Sequence, residues 1–228
     1  NMLFNSIEFS IFLPIIFLLY WFFTKTIRHQ NILIVCASYL FYGWWDWRFL
    51  SLILFSTIID YSIGLKLEKE TRKQNQKLLL LCSILINLGL LGFFKYYNFF
   101  IDNFVTAFSF FGYSFKTSSL SIILPVGISF YTFQTLSYTI DIYRGRMRST
   151  KNFFAFASFV SFFPQLVAGP IERASNLLPQ FLKKRTFNYS EAANGMRQIL
   201  WGLFKKIVIA DNCAIFANEI FDNYDTLS

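Results

Sequence analysis

Charge is sparse along this chain and falls in clusters, so that Phe9–Thr24, Gln30–Trp45, Leu78–Phe94, Thr117–Ile140 and Asn152–Ile171 carry none. A helix that crosses a bilayer needs about 17–25 mostly apolar residues, and shorter runs gain reach because flanking Lys and Arg snorkel. Phe9–Thr24 is then the first span, with Glu8 ahead of it and Lys25 and Arg28 behind. Gln30–Trp45 is the second, and Phe49–Leu65 the third, interrupted only by Asp60 near its exit. Leu78–Phe94 is the fourth span, extended by an aromatic tail through Phe99–Ile101. Asn103–Phe115 is too short to cross and reads as interfacial or re-entrant. Thr117–Ile140 is a full span broken early by Pro125 and Gly127, and Asn152–Ile171 is a membrane segment interrupted by Pro164, Gly169 and Pro170. The pattern predicts an all-α polytopic membrane protein with about six or seven membrane segments, one or two of them re-entrant. Residues 1–228 form a single transmembrane domain on this reading, with no internal repeat and no low-complexity linker.

Composition agrees with the pattern. Of 228 residues 55% are hydrophobic and only 15% charged, whereas soluble domains run near a quarter charged. The 31 Phe exceed what a soluble core of this size would hide. Trp44, Trp45 and Trp47 cluster at a span end, where an interfacial belt is expected. Cys36, Cys82 and Cys213 are odd in number, far apart and form no CxxC pair, so buried thiols are expected rather than a disulfide or a metal site. No basic n-region or small-residue cleavage site marks a signal peptide.

The net charge of +8 resides in loops, which points to membrane topology rather than nucleic acid. Lys25/Arg28, Lys66–Lys77 and Arg144–Lys151 are basic; Asp46/Arg48 and Lys95–Lys116 are nearly balanced. The alternation predicts cytoplasmic basic loops and an N-terminus outside. Lys183, Lys184 and Arg185 break it, because a simple crossing by Asn152–Ile171 would place them outside. Proline removes a backbone donor and disfavours helix in the residue before it. The segment is therefore expected to enter, bend and return to the cytoplasmic side. Asn188 or Ser190 caps the helix that follows, with Glu191 in its first turn.

Polar and helix-breaking residues inside apolar runs are the candidate site, since broken backbone persists in a membrane only within protein or beside a wet cavity. Gln134, Tyr138 and Asp141 are spaced four and three apart and share a helical face. They read equally as a polar tunnel wall and as hydrogen bonds that fix helix packing. Gln165 and the turn Ala168–Gly169–Pro170 read as a polar site built on broken backbone, with a purely structural bend as the alternative. Glu172 and Arg173 pair with each other or hold the bend. Arg144, Arg146, Arg148 and Lys151 suit an anionic donor, although topology alone accounts for them. Lys183–Arg185 needs no more than anionic lipid. Asp60 lies about one and a half turns before Lys66, which favours interfacial pairing over a pathway role.

Leu124–Gly145 (LPVGISFYTFQTLSYTIDIYRG) and Phe162–Phe181 (FFPQLVAGPIERASNLLPQF) resemble the membrane-bound O-acyltransferases, in particular the branch of the bacterial alginate O-acetyltransferases. The opening MLFNSIEFSIFLPIIFLLYW, the Trp44–Leu50 turn WWDWRFL and Trp201–Asn212 (WGLFKKIVIADN) resemble the same branch, so the likeness runs along nearly the whole chain. The resemblance implies part of a ring of tilted helices in a bacterial cytoplasmic membrane. It implies passage of an acetyl or similar acyl group from a cytoplasmic donor, acetyl-CoA or a carrier-bound acyl group, to a hydroxyl of an extracytoplasmic polysaccharide or wall polymer. It further implies an extracytoplasmic acetyltransferase-type partner protein and no bound cofactor or metal. The family's catalytic histidine lies in an apolar second-half segment, whereas this chain has only His29, in the polar loop Thr26–Gln30. No catalytic residue is assigned, and the chain reads as the N-terminal portion of such an enzyme, inactive alone. A polytopic transporter or channel with a re-entrant segment is the competing class, and a second half repeating the first with inverted topology would favour it.

Overall fold

Helices in this protein begin where a polar side chain can hold the first free backbone donors. In the computed structural model, which describes residues 4–110, 125, 127–166, 169–170 and 172–223 (backbone alone at 98 and 100–110), Ser6 caps α1 (Ile7–Leu18). Thr26 caps α2 (Ile27–Asp46). A 3-10 turn at Trp47–Phe49, whose Asp46 is paired with Arg48, leads into α3 (Leu50–Lys69). α4 (Lys73–Phe110) and α5 (Ile128–Tyr143) follow. Asn152 caps α6 (Phe153–Ser161), which precedes the single turn α7 (Phe163–Leu166) and α8 (Ala174–Leu182). Asn188 caps α9 (Tyr189–Phe204) by accepting from the Ser190 and Glu191 amides, as its position predicts, and α10 is Asp211–Asp222. There is no strand among the described residues. The helical stretches Ile27–Lys69 and Lys73–Tyr97 are long and apolar enough to cross a membrane.

The chain divides into two compact units, residues 24–184 and residues 1–23 with 185–228. In the second of these, Phe187 packs edge-on against Phe17 and Trp21 at ring distances of 6.1 and 5.4 Å, and the Arg185 guanidinium lies over Tyr20. The larger unit is a bundle in which α3 packs on α4 and α5, and α6 on α2 and α3.

Contacts between distant residues give that bundle its direction. Arg28 lies over the Phe154 ring, Asn31 accepts at its carbonyl from Ser158, and Ser38 accepts from the Phe163 amide. α6 therefore runs alongside α2 in the same sense, for about 14 Å at 1.5 Å per residue. Gly127 at the start of α5 meets Leu166, marking the far end of this descent. The chain then comes back. Ala174 donates to Ser137 Oγ in the last turns of α5, and Phe181 accepts from Asn31 Nδ2 near the start of α2. α8 thus crosses from α5 to α2 at the end from which α6 set out. At this end Tyr61 donates to the Lys151 carbonyl and Ser149 hydrogen-bonds Glu68. The basic groups around Arg28, Lys66–Lys77, Arg144–Lys151 and Lys183–Lys184 gather on one side of the unit.

Several expectations are corrected. Residues 103–110 continue α4 without a break, so no separate short segment begins at Asn103; α4 measures about 57 Å, and residues 111–115 lie outside the description. Within the predicted span Thr117–Ile140, α5 begins at Ile128 after Gly127 with φ +79°, and residues 117–124 and 126 lie outside the described residues. Cys36, Cys82 and Cys213 are exposed, not buried. An apolar run around a thiol does not distinguish a face turned to lipid from one turned to protein. Asp60 is not an interfacial partner of Lys66; it is wholly buried.

α3 and α5 approach closely at Gly64 of α3, where an added Cβ would lie 2.5 Å from Tyr138 Cε1 and 2.9 Å from its hydroxyl. Gly89 on α4 has open space around the same position. Gly64→Ala is expected to lower stability by roughly 1–3 kcal/mol through overpacking. Gly89→Ala is expected to be neutral or slightly stabilising, from better helix propensity. Thermal unfolding of both variants in one detergent checks the contrast; equal melting temperatures would remove the close approach as a determinant.

Candidate functional site

α5 carries the predicted polar face into the bundle. Gln134 is 1% exposed, Tyr138 is wholly buried and Asp141 is 5% exposed. Tyr138 is a packing residue: its ring lies 4.5 Å from that of Phe156, and its hydroxyl accepts from the Thr150 amide at 3.1 Å. Gln134 differs, for among the described residues neither its amide nitrogen nor its amide oxygen has a hydrogen-bond partner. Such an unsatisfied buried amide is uncommon and calls for a reason. Asp141 makes no hydrogen bond or ion pair through its carboxylate among the described residues, and it lines an open cleft.

That cleft has a volume of about 450 Å³. Its apolar floor comes from Leu88 of α4 with Phe133 and Ile140 of α5, and Arg144, Arg146 and Arg173 stand with Asp141 at its polar end. Arg148 and Lys151 do not line it, and neither do Gln134 and Tyr138. Glu172 and Arg173 form no ion pair with each other, which corrects one of the two roles expected of them; both are exposed. Arg173 belongs to the cleft because the returning chain delivers it beside the end of α5.

The bend itself is tightly made. Gln165 Nε2 donates to the Pro170 carbonyl at 2.7 Å, and the Gly169 amide donates to the Gln165 carbonyl at 3.0 Å. A Cβ on Gly169 would lie 2.6 Å from Gln165 Cα, so the turn closes on itself only with glycine there. A Cβ on Gly127 would lie 2.7 Å from the Leu166 carbonyl oxygen, and its positive φ also favours glycine. Gln165 is thus partly a structural clasp, while its Oε1 is buried without a partner. Ala168 lies outside the described residues. His29 sits in the exposed first turn of α2, with Nδ1 2.9 Å from Thr26 Oγ1.

The most connected polar group was missed as such. Asp60 Oδ1 accepts from Ser83 Oγ at 2.6 Å, and Oδ2 from Asn87 Nδ2 at 2.7 Å. Asn87 Oδ1 in turn accepts from Ser56 at 2.9 Å and Thr135 at 3.2 Å, and Ser83 meets Thr139 at 3.1 Å. All six side chains are buried, and they tie α3, α4 and α5 together. A signal was present in the chain: Ser56/Asp60, Ser83/Asn87 and Thr135/Thr139 are three polar pairs, each one helical turn apart in an apolar helix. At the turn between α2 and α3 the Arg48 guanidinium donates to the Asp46 carboxylate. No group of three or more His, Cys, Asp or Glu able to hold a metal occurs among the described residues.

An all-helical bundle with apolar outer faces, an internal polar cluster and a clasped bend defines a helical membrane protein. Comparison with known proteins narrows the class. The chain is 39% identical over 222 residues, 96% of its length, to the probable alginate O-acetylase AlgI of Pseudomonas syringae pv. tomato, and covers 42% of that protein. The figures are the same for the probable alginate O-acetylase AlgI of Pseudomonas aeruginosa. The peptidoglycan O-acetyltransferase of Helicobacter pylori is 37% identical over 257 residues, with all of this chain and 48% of that protein covered. No family model and no solved structure matches. The chain belongs to the alginate O-acetylase-like membrane-bound O-acyltransferases. It spans less than half the length of the curated relatives reported above.

Asn87→Ala takes the one donor from Asp60 Oδ2 that lies at a short distance, since Ser56 Oγ is 3.5 Å away. A lost hydrogen bond to a buried carboxylate is expected to cost on the order of 2–3 kcal/mol. Cys82→Ala, on an exposed face of the same helix, serves as the neutral control. Comparing their unfolding midpoints decides whether the cluster holds the bundle.

Proposed function

We propose that this chain is part of a membrane O-acyltransferase that passes an acetyl or similar acyl group from a cytoplasmic donor towards a hydroxyl of an extracytoplasmic polysaccharide or wall polymer. The observation that carries the reading is its similarity, over 96% or more of its length, to proteins named alginate O-acetylase and peptidoglycan O-acetyltransferase. The chain is read as part of one transmembrane domain in the bacterial cytoplasmic membrane, with six or seven membrane segments, its N-terminus outside and its basic loops inside. The donor is acetyl-CoA or a carrier-bound acyl group, and an extracytoplasmic partner protein completes the transfer.

The geometry supports where such a pathway would run. The hairpin of α6 and α7 descends about 14 Å beside α2 and returns, close to half of the roughly 30 Å hydrocarbon core. A re-entrant segment of that depth brings the clasped Gln165–Pro170 bend to the middle of the membrane, with its irregular backbone shielded by α2 and α5. Gln134, whose amide is buried and unpartnered, is placed to hydrogen-bond a group moving through the bundle. The chain's one histidine, His29, sits in the exposed first turn of α2, away from the bend.

Deleting the gene that encodes the chain is expected to remove base-labile acetate from the exopolysaccharide or the peptidoglycan of its host, and re-expression to restore it. Unchanged acetate in both polymers would overturn the reading, and loss from one of them identifies the acceptor. Topology has a separate check. In a background lacking Cys36, Cys82 and Cys213, which are exposed and would react, cysteines at Ser149 and Lys183 are expected to be labelled from the same side. Labelling from opposite sides would exclude the re-entrant hairpin.

A further inference from the structure

The cleft between α4 and α5 joins two kinds of surface that seldom meet by accident. Its floor is apolar and opens sideways: Leu88 and Phe133 remain 44% and 45% exposed on the outer faces of their helices. Its polar end holds three arginines, Arg144, Arg146 and Arg173, drawn from two separate stretches of chain. Between them stands Asp141, nine-tenths buried and without a hydrogen-bond or ion-pair partner among the described residues. The carboxylate lines the open cleft and none of the three arginines lies within 4.0 Å of it, so it can take a cation there.

The complement of this arrangement is a molecule with a phosphate for the guanidinium groups, an ammonium for the carboxylate and an apolar tail for the floor. Arg forks match phosphate oxygens, and basic pockets between membrane helices hold phospholipid headgroups. We infer that the cleft seats one bilayer phospholipid bearing a primary amine, its phosphate on Arg144, Arg146 and Arg173, its ammonium at Asp141, and one acyl chain along Leu88, Phe133 and Ile140. The volume of about 450 Å³ falls within the range of ligand sites. The lateral opening of the floor favours a lipid over a water-soluble phosphate ester, whose tail would have to lie in hydrocarbon. The inference requires a membrane protein but does not rest on acyl transfer.

The test is retention of lipid by the purified protein, read by native mass spectrometry after equilibration with phosphatidylethanolamine, phosphatidylcholine or phosphatidylglycerol in mild detergent. The wild-type protein is expected to keep one phosphatidylethanolamine per chain through washing that strips the other two. Each of R144Q, R146Q and R173Q is expected to reduce that retention roughly fivefold, and R144Q/R146Q/R173Q to abolish it. Asp141→Asn is expected to erase the preference for phosphatidylethanolamine over phosphatidylglycerol while leaving bound lipid in place. Equal retention by the wild type and the triple variant would overturn the inference, as would the three lipids binding alike. If the triple variant does not fold, the single substitutions carry the same decision. Displacement of the lipid by 4′-phosphopantetheine at equal stoichiometry, in wild type but not in R173Q, would instead assign the cleft to a soluble phosphate ester. None of these readouts depends on acetyl transfer, so their failure is separate from failure of the enzymatic reading.

Discussion

The bundle of residues 24–184 depends on one buried carboxylate. In lipid the hydrophobic effect does not drive helices together, because the surrounding chains are as apolar as the side chains. What selects one packing among many is a polar group that is satisfied in that packing alone. Asp60 has this property: each of its oxygens receives a donor from α4, at 2.6 and 2.7 Å. Asn87 extends the constraint, since its amide nitrogen serves Asp60 while its oxygen receives Ser56 and Thr135. Sliding α4 by one turn against α3 would leave an acceptor-only group without donors in an apolar interior. The cost of that loss is what fixes the register of three helices.

The rest of the architecture follows from how closely backbones approach around that cluster. Tyr138 lies one turn beyond Gln134 on α5 and reaches Gly64 of α3, one turn beyond Asp60. Its hydroxyl then secures the Thr150 amide, and Tyr61 secures the Lys151 carbonyl, so the basic loop is pinned before α6 begins. With that entry fixed, α6 can only descend between α2 and α3. Gly127 and Gly169 permit the turn at the bottom, and Gln165 clasps it. The chain then returns Arg173 to the end of α5, which is why residues twenty-nine positions apart in sequence, Arg144 and Arg173, share a cleft.

How much of this the sequence disclosed depended on whether a feature was local. The doubling back of the chain was expected from the basic residues at Lys183–Arg185, and α8 does end beside the start of α2. The helix start at Asn188 was legible to within two residues, with Ser190 as the alternative, since a cap is decided by neighbours in sequence. What failed concerned which way a side chain points. Asp60 was assigned to Lys66 on distance along the helix, although the two lie six residues apart and a helix turns about 100° at each residue. Cys36 and Cys82 were placed inside because their surroundings are apolar, but in a membrane the outer face is apolar too. Tyr138 was grouped with Gln134 and Asp141 on spacing, and shared a face with them, yet the three meet different partners because helices of different depth cover that face.

The two unsatisfied glutamines bear on where chemistry could sit. A buried amide without a partner costs about 1–3 kcal/mol, and Gln134 and Gln165 each retain such an atom within an otherwise well-satisfied interior. A packing role does not explain them. Leu or Met would fill the same space at lower cost, as Leu136 and Leu166 do in neighbouring positions. The Asp60 cluster shows how the bundle treats polar groups that serve structure alone: every one is paired. The contrast separates the polar residues of α5 into two kinds. Thr135, Thr139 and Tyr138 hold helices together, whereas Gln134 keeps unused donor and acceptor capacity inside the protein. An interior that bears this cost at Gln134 and again at Gln165 is what the proposed passage for a polar group requires.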